Sequence, residues 1–307
     1  MLSAKAWRSG GPALLGAGYG LPPSVSLAPG QVVTFWASGL NPLPVSPVQA
    51  AVIPLPTELS GISVTLTQTS NPKGFPAGSF PVPLISLAQT NSCSDPSVTA
   101  AACLLTAITA QIPFELVVDP YTMPPFTALT ISQDGAVSQT FNVSTSHDSI
   151  HVLTTCGNGT SPCVTHPDGT LISANSPATA GEVVIIWAVG LGIGIGAPTP
   201  PAPTGQLTPT PAPAVNGISV YLDFHPNANA TRPAYPRPAS ALTPPYFAGL
   251  TPGQIGLYQV NVQLPATFPE VSPCGGGANY QPVYSNLTIT VSSAYFSFDG
   301  APVCVQP

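Results

Sequence analysis

Charge is what this 307-residue sequence has least of. Asp, Glu, Lys and Arg together make up 5% of it, against roughly 25% in an average soluble protein. Only five residues are Lys or Arg, and the formal net charge is −6. A nucleic-acid surface needs a basic face to neutralise phosphates, and an anionic membrane surface needs the same. Neither partner fits. Long apolar runs are missing too. A transmembrane helix needs roughly 18 or more such residues in a row, so no transmembrane segment is expected.

Catalytic signatures are equally scarce. There is no G-x-S-x-G elbow, no D-x-D-x-D-G calcium loop and no C-x-x-C. The eleven carboxylates are scattered, so no acid–base pair is visible. His147 and His151 stand four apart, a spacing that shares a face on a strand, but no Glu follows the first His as a zinc-protease helix requires. Residues 166–169, His-Pro-Asp-Gly, read as a turn. The glycines of residues 190–196 run into a Pro-rich loop and not into a helix, which speaks against a dinucleotide loop. No cofactor and no metal is expected, and the chain reads as a non-enzyme.

Proline and repetition are what the sequence does have. Forty-one prolines and 28 glycines accompany 44% hydrophobic residues. Proline breaks helix interiors, so a Pro-rich chain with regular Val, Ile and Thr runs is expected to be all-β. Residues 27–40, LAPGQVVTFWASGL, return as ATAGEVVIIWAVGL at 178–191. Gly61-Ile62-Ser63-Val64 returns as Gly217-Ile218-Ser219-Val220, and Ala110-Gln111-Ile112-Pro113 as Val262-Gln263-Leu264-Pro265. Three blocks in one order at nearly constant spacing imply a duplicated domain.

The expected organisation is an N-terminal extension at 1–20, a first β domain at 21–146 and a second at 147–307. In the first, strands are expected near 31–37, 62–67, 84–88, 108–118, 127–132 and 137–143, with Asp134-Gly135 as a hairpin turn. In the second they are expected near 183–189, 218–222, 257–264, 287–291 and 295–298. Trp36 and Trp187 fall at equivalent strand positions and are expected to be core. Long Pro-rich loops at 197–215 and 225–245 read as polyproline or irregular surface segments. Four Asn-x-Ser/Thr sequons begin at Asn142, Asn158, Asn229 and Asn286.

The cysteine count is even, and an even count fits disulfides in an oxidising compartment. Local pairing within each domain is expected: Cys93 with Cys103, Cys156 with Cys163, and Cys274 with Cys304. That places the protein outside the cell or on its surface. The first residues carry Lys5 and Arg8 before a broken apolar stretch, so a signal peptide is not evident in this chain. Within the extension, Leu14 and Leu15 sit in an apolar run without a counterpart in the second repeat. Such a segment could add as a strand to a neighbour's sheet edge.

Residues 166–184, from His-Pro-Asp-Gly-Thr to Gly-Glu-Val-Val, resemble an N-x-D-G-S-x-N-S-P-x-x-P-A-x-x-G motif. It belongs to the Solibacter-type C-terminal domain family of exported acidobacterial proteins. Residues 246–265, from Tyr-Phe-Ala-Gly-Leu to Gln-Leu-Pro, resemble that family's second hallmark. The resemblance covers about 150–291, and about 25–143 in drifted form. It implies two tandem immunoglobulin-like, IPT-like β-sandwiches with no assigned activity, so it carries over no catalytic residue. The expectation is a non-catalytic extracellular structural or interaction protein, possibly a subunit of a surface assembly or filament. Its partners would be further copies of itself or another surface protein. The alternative is an adhesion module for carbohydrate or a receptor.

Overall fold

The computed structural model describes residues 12–18, 26–69, 77–93, 101–118, 127–138, 140–154, 156, 162–193, 202–210, 214–230, 242–275, 282–294 and 297–307. Across these residues the protein is all-β, built from several sheets. It forms two compact units. Unit 1 is Met1–His147 together with Ala202–Leu207, and unit 2 is Asp148–Pro201 together with Thr208–Pro307.

In unit 1 the strands are β1 (Ala13–Gly18), β2 (Ser26–Leu27), β3 (Val32–Ser38), β4 (Val48–Gln49), β5 (Glu58–Leu59) and β6 (Ile62–Gln68). They continue with β7 (Gly78–Pro81), β8 (Leu84–Asn91), β9 (Leu104–Gln111), β10 (Thr127–Gln133), β11 (Ala136–Val137) and β12 (Phe141–Thr145). One sheet runs β1-β3-β9-β8-β4, the other β2-β12-β10-β6-β5, with β11 on β10 and β7 on β6. Alternation decides which side chains go inward. Val33, Phe35 and Ala37 of β3, Ile108 and Ala110 of β9, Ile62, Val64 and Leu66 of β6, and Leu129 and Ile131 of β10 join one buried cluster drawn from both sheets. Burying each large aliphatic or Phe side chain of that set stabilises by roughly 1.5–3 kcal/mol.

Turn chemistry explains the repeated glycines. Gly30 and Gly181 precede β3 and its counterpart with φ of 73° and 77°, and Gly39 and Gly190 follow them with 80° and 76°. The left-handed region costs a side chain but not glycine. Asp134 and Gly135 join β10 to β11 with φ of 51° and 83°, the two positive values of a type I′ hairpin. Pro113 ends β9 early, at Gln111, so the strand expected to reach residue 118 does not.

Two expectations fail in unit 1. Residues 13–18 are not a loose extension but the edge strand β1, antiparallel to β3 with Leu14 opposite Ala37. Leu14 packs against the core, whereas Leu15 is 47% exposed. The physical reason is that β3 would otherwise present a bare edge, and the chain covers that edge itself.

The Pro-rich loop, expected within the second domain at 147–307, also gives Ala202–Leu207 to unit 1. There Leu55 N–H donates to Gly205 O (2.8 Å), and Gly205 N–H donates to Gln111 Oε1 (2.7 Å). Phe114 N–H donates to Thr204 Oγ1 (2.9 Å), whose hydroxyl donates to Glu115 Oε2 (2.6 Å). Gly205 has φ of 74°, and a Cβ there would lie 3.3 Å from the Pro83 ring. Only glycine suits that position.

Unit 2 contains β13 (His151–Val152), β14 (Val164–Thr165), β15 (Val183–Val189), β16 (Ile218–Asp223), β17 (Leu242–Thr243), β18 (Phe247–Leu250), β19 (Tyr258–Gln263), β20 (Leu287–Ser293) and β21 (Phe298–Val303). One sheet runs β13-β15-β19-β18, with β14 also on β15; the other runs β17-β16-β20-β21. Val184, Ile186 and Ala188 of β15 and Tyr258, Val260 and Val262 of β19 are fully buried. So are Leu287, Ile289 and Val291 of β20. The expected strand 295–298 begins instead at Phe298; residues 295–296 lie outside the described residues.

Candidate functional site

All six cysteines are paired, and locally: Cys93–Cys103, Cys156–Cys163 and Cys274–Cys304. The first bridge lies in unit 1 and the other two in unit 2. No group of three or more His, Cys, Asp or Glu able to hold a metal occurs among the described residues. His147 belongs to unit 1 and His151 to unit 2. His151 Nδ1 lies 3.1 Å from Asp299 Oδ2. That carboxylate also accepts Val152 N–H (2.8 Å) and Gly300 N–H (2.8 Å), so it ties β13 to β21.

The residues 166–169 turn holds a constellation that sequence reading missed. Gly169 N–H donates to His166 O, and Asp168 Oδ1 accepts Thr170 N–H and the Thr170 hydroxyl. Behind the turn, His166 Nδ1 is 2.5 Å from Glu182 Oε1. His166 Nε2 is 3.2 Å from both the hydroxyl and the carbonyl oxygen of Ser176. Ser, His and Glu thus stand in the order of a nucleophilic triad.

The proton inventory points elsewhere. In its protonated form the ring donates from Nδ1 to Glu182 and from Nε2 to the Ser176 carbonyl. A general base needs a bare Nε2. Ser176 N–H already donates to Ser173 O (3.1 Å), and Pro177 after it has no N–H for an oxyanion.

Burial of the ring opposes protonation. The bonds to Glu182 and to the Ser176 carbonyl, with the charges of Glu182 and Asp168, outweigh it and raise the His166 pKa. Burial likewise pushes Glu182 up, but Thr179 N–H and His166 outweigh it and hold the carboxyl below its ordinary range. The arrangement is an ionic clasp closing the turn onto the start of β15. A His sixteen residues before a Glu gives no sequence signal for it.

Trp36 and Trp187 are not core. Both are half-buried and point away from the side on which Val33, Phe35 and Ala37, or Val184, Ile186 and Ala188, are buried. Across the register Trp187 stands opposite Gln259, and Ile185 opposite Asn261, which in turn faces Phe247 of β18. Residues opposite one another share a face, so unit 2 presents an uncharged face of Trp, Ile, Phe and amides. Trp187 Nε1–H donates to Thr165 Oγ1 at 3.2 Å.

At the end of that face lies a cleft of about 520 Å³, lined among others by Pro244, Pro245, Tyr246, Gln263 and Pro265. It forms where the chain crosses from β17 in one sheet to β18 in the other. The Tyr246 ring is 70% exposed, yet it is held: its hydroxyl donates to Gln263 Oε1 (2.9 Å), and Gln263 Nε2 donates to Gly181 O (3.0 Å).

Of the sequons, Asn142 and Asn229 are exposed and Asn158 lies outside the described residues. Asn286 is fully buried, donating to Ser272 O and Val305 O and accepting Val305 N–H, so it is a structural bracket and not a glycan acceptor. No family model and no curated protein matches the chain.

Proposed function

We propose that this chain is a non-catalytic extracellular structural or interaction protein, made of two immunoglobulin-like β-sandwiches of the Solibacter type and working as a subunit of a cell-surface assembly. The observation that carries this reading is a set of exposed apolar side chains in one uncharged stretch. Val45, Val52 and Ile53 are 67%, 61% and 50% exposed within residues 41–57, a stretch without a single charged residue. Surfaces of this kind associate. Three disulfides suit an oxidising compartment. The test is sedimentation and electron microscopy of the oxidised chain over a concentration series. Assembly that Val52→Asp or Ile53→Asp weakens is expected, and a chain that stays monomeric throughout would sink the reading.

A second reading, a carbohydrate-binding adhesion module, draws support from the held and exposed Tyr246 ring, since sugar faces stack on aromatic rings. Binding of neutral oligosaccharides lost in Tyr246→Ala would favour it.

A further inference from the structure

The duplication lets one unit interpret the other. The register sets Gln111 opposite Val32 in unit 1 and Gln263 opposite Val183 in unit 2. Carried on along the chain, Pro113 and Phe114 correspond to Pro265 and Ala266, both of which line the unit 2 cleft. A proline stands ahead of each neighbouring strand: Pro83 before β8, and Pro244 with Pro245 before β18. In unit 1 this place holds an occupant, the chain's own Ala202–Leu207. Gln111 Oε1 takes its Gly205 N–H, Phe114 N–H gives to its Thr204 hydroxyl, and Pro83 packs against Gly205.

We propose that the unit 2 cleft takes an uncharged proline-rich peptide segment of a second copy of this chain, laid down as Ala202–Leu207 lies in unit 1. Its backbone N–H reaches Gln263 Oε1, displacing the Tyr246 hydroxyl. A side-chain hydroxyl accepts Ala266 N–H, the counterpart of Phe114 N–H, and proline rings lie on Tyr246. The match in chemistry is close. No charged residue lines the cleft among the described residues, and the Ala-Pro-Thr-Gly-Gln-Leu occupant of unit 1 has no charge either. Aromatic and proline surfaces are a recurrent receptor for stiff, proline-rich segments, which lose little entropy on binding. The second copy is the source because the chemistry seated in the twin position is this chain's own, and a copy whose Ala202–Leu207 leaves its unit 1 seat presents it. The proposal rests on the self-association reading above.

The test uses the full oxidised chain and a labelled peptide of residues 200–207, followed by fluorescence anisotropy. Saturable binding is expected, weakened about tenfold by Tyr246→Ala, by Gln263→Ala, and by Gly205→Ala in the peptide, each removing one contact or the left-handed turn. Gln111→Ala in the chain should leave it unchanged. Tyr246→Phe should keep or tighten binding, because it frees Gln263 Oε1.

No saturation by about 1 mM, a weak-affinity limit, or binding indifferent to Tyr246→Ala overturns the proposal. So does Tyr246-dependent binding of neutral oligosaccharides with no binding of the peptide. Peptide binding by a chain that sedimentation shows always monomeric rejects the second copy and the assembly reading, and leaves the peptide chemistry of the cleft in place.

Discussion

Asp148 is the most perturbed described acid in unit 2. Burial pushes its pKa up to about 6 from 3.8, against the opposing hydroxyl bonds of Ser293 and Ser297. The folded state therefore holds this proton more tightly than the unfolded chain does. Its contribution to stability is fullest below pH 3.8 and is lost as pH rises through about 6, by up to about 3 kcal/mol. Asp148→Asn should flatten that loss and raise the melting temperature at pH 8, as thermal scans at pH 4 and pH 8 will show.

The His166–Glu182 clasp is bounded by pH on both flanks, His166 in the same sense as Asp148 and Glu182 in the opposite one. The raised His166 contributes fully below its ordinary 6.5 and is lost as pH climbs through its higher folded pKa. The lowered Glu182 contributes above its ordinary 4.5 and is lost on acidification. Both side chains are mostly buried, 15% and 14% exposed, so His166→Ala should cost on the order of 1–3 kcal/mol. Denaturant melts at pH 5.5 measure it, and a loss no greater there than at pH 9 would count against the ionic pair. None of this was legible in the sequence, because a bond between His166 and Glu182 depends on a turn folding back and not on a spacing.

Strands were far more legible than their faces. The run Val32-Val33-Thr34-Phe35-Trp36-Ala37 offers apolar residues at both parities, so period-two alternation alone does not say which side is core. The partner strand settles it. In β19, Tyr258, Val260 and Val262 alternate with Gln259, Asn261 and Gln263, and Trp187 pairs with Gln259. Reading the two strands together puts Trp187 outside.

Trp187→Phe should accordingly cost only about 1 kcal/mol, for the lost bond to Thr165; a penalty of roughly 3–5 kcal/mol, typical of a core aromatic, would contradict the outward placement. Strand β1 escaped the sequence for a different reason: its Gly-rich text, Ala-Leu-Leu-Gly-Ala-Gly, has weak strand preference, and only the open side of β3 recruits it. Deleting residues 1–18 should lower the melting temperature of unit 1 and expose the β3 edge, so the shortened chain should aggregate more, measured by light scattering on heating.

At the scale of the whole chain, the bridges span 10, 7 and 30 residues of sequence. The loop-entropy account gives roughly 2.5–3.5 kcal/mol each, largest for the longest. Cys274→Ser with Cys304→Ser should therefore lower stability more than either other double replacement, read by denaturant titration.

Ala202–Leu207 carries a consequence for synthesis. A chain made from its N-terminus does not hold all of unit 1 when residue 147 leaves the ribosome; the missing piece follows about sixty residues later. At about 5–20 residues per second that is a wait of roughly 3–12 s. During it Gln111 and the Phe114 N–H face water, while the first stretch of unit 2 is already emerging. Moving the segment from its late position to directly after residue 147, in a permuted gene, should let the first unit gain protease resistance on the ribosome before any of the second is made.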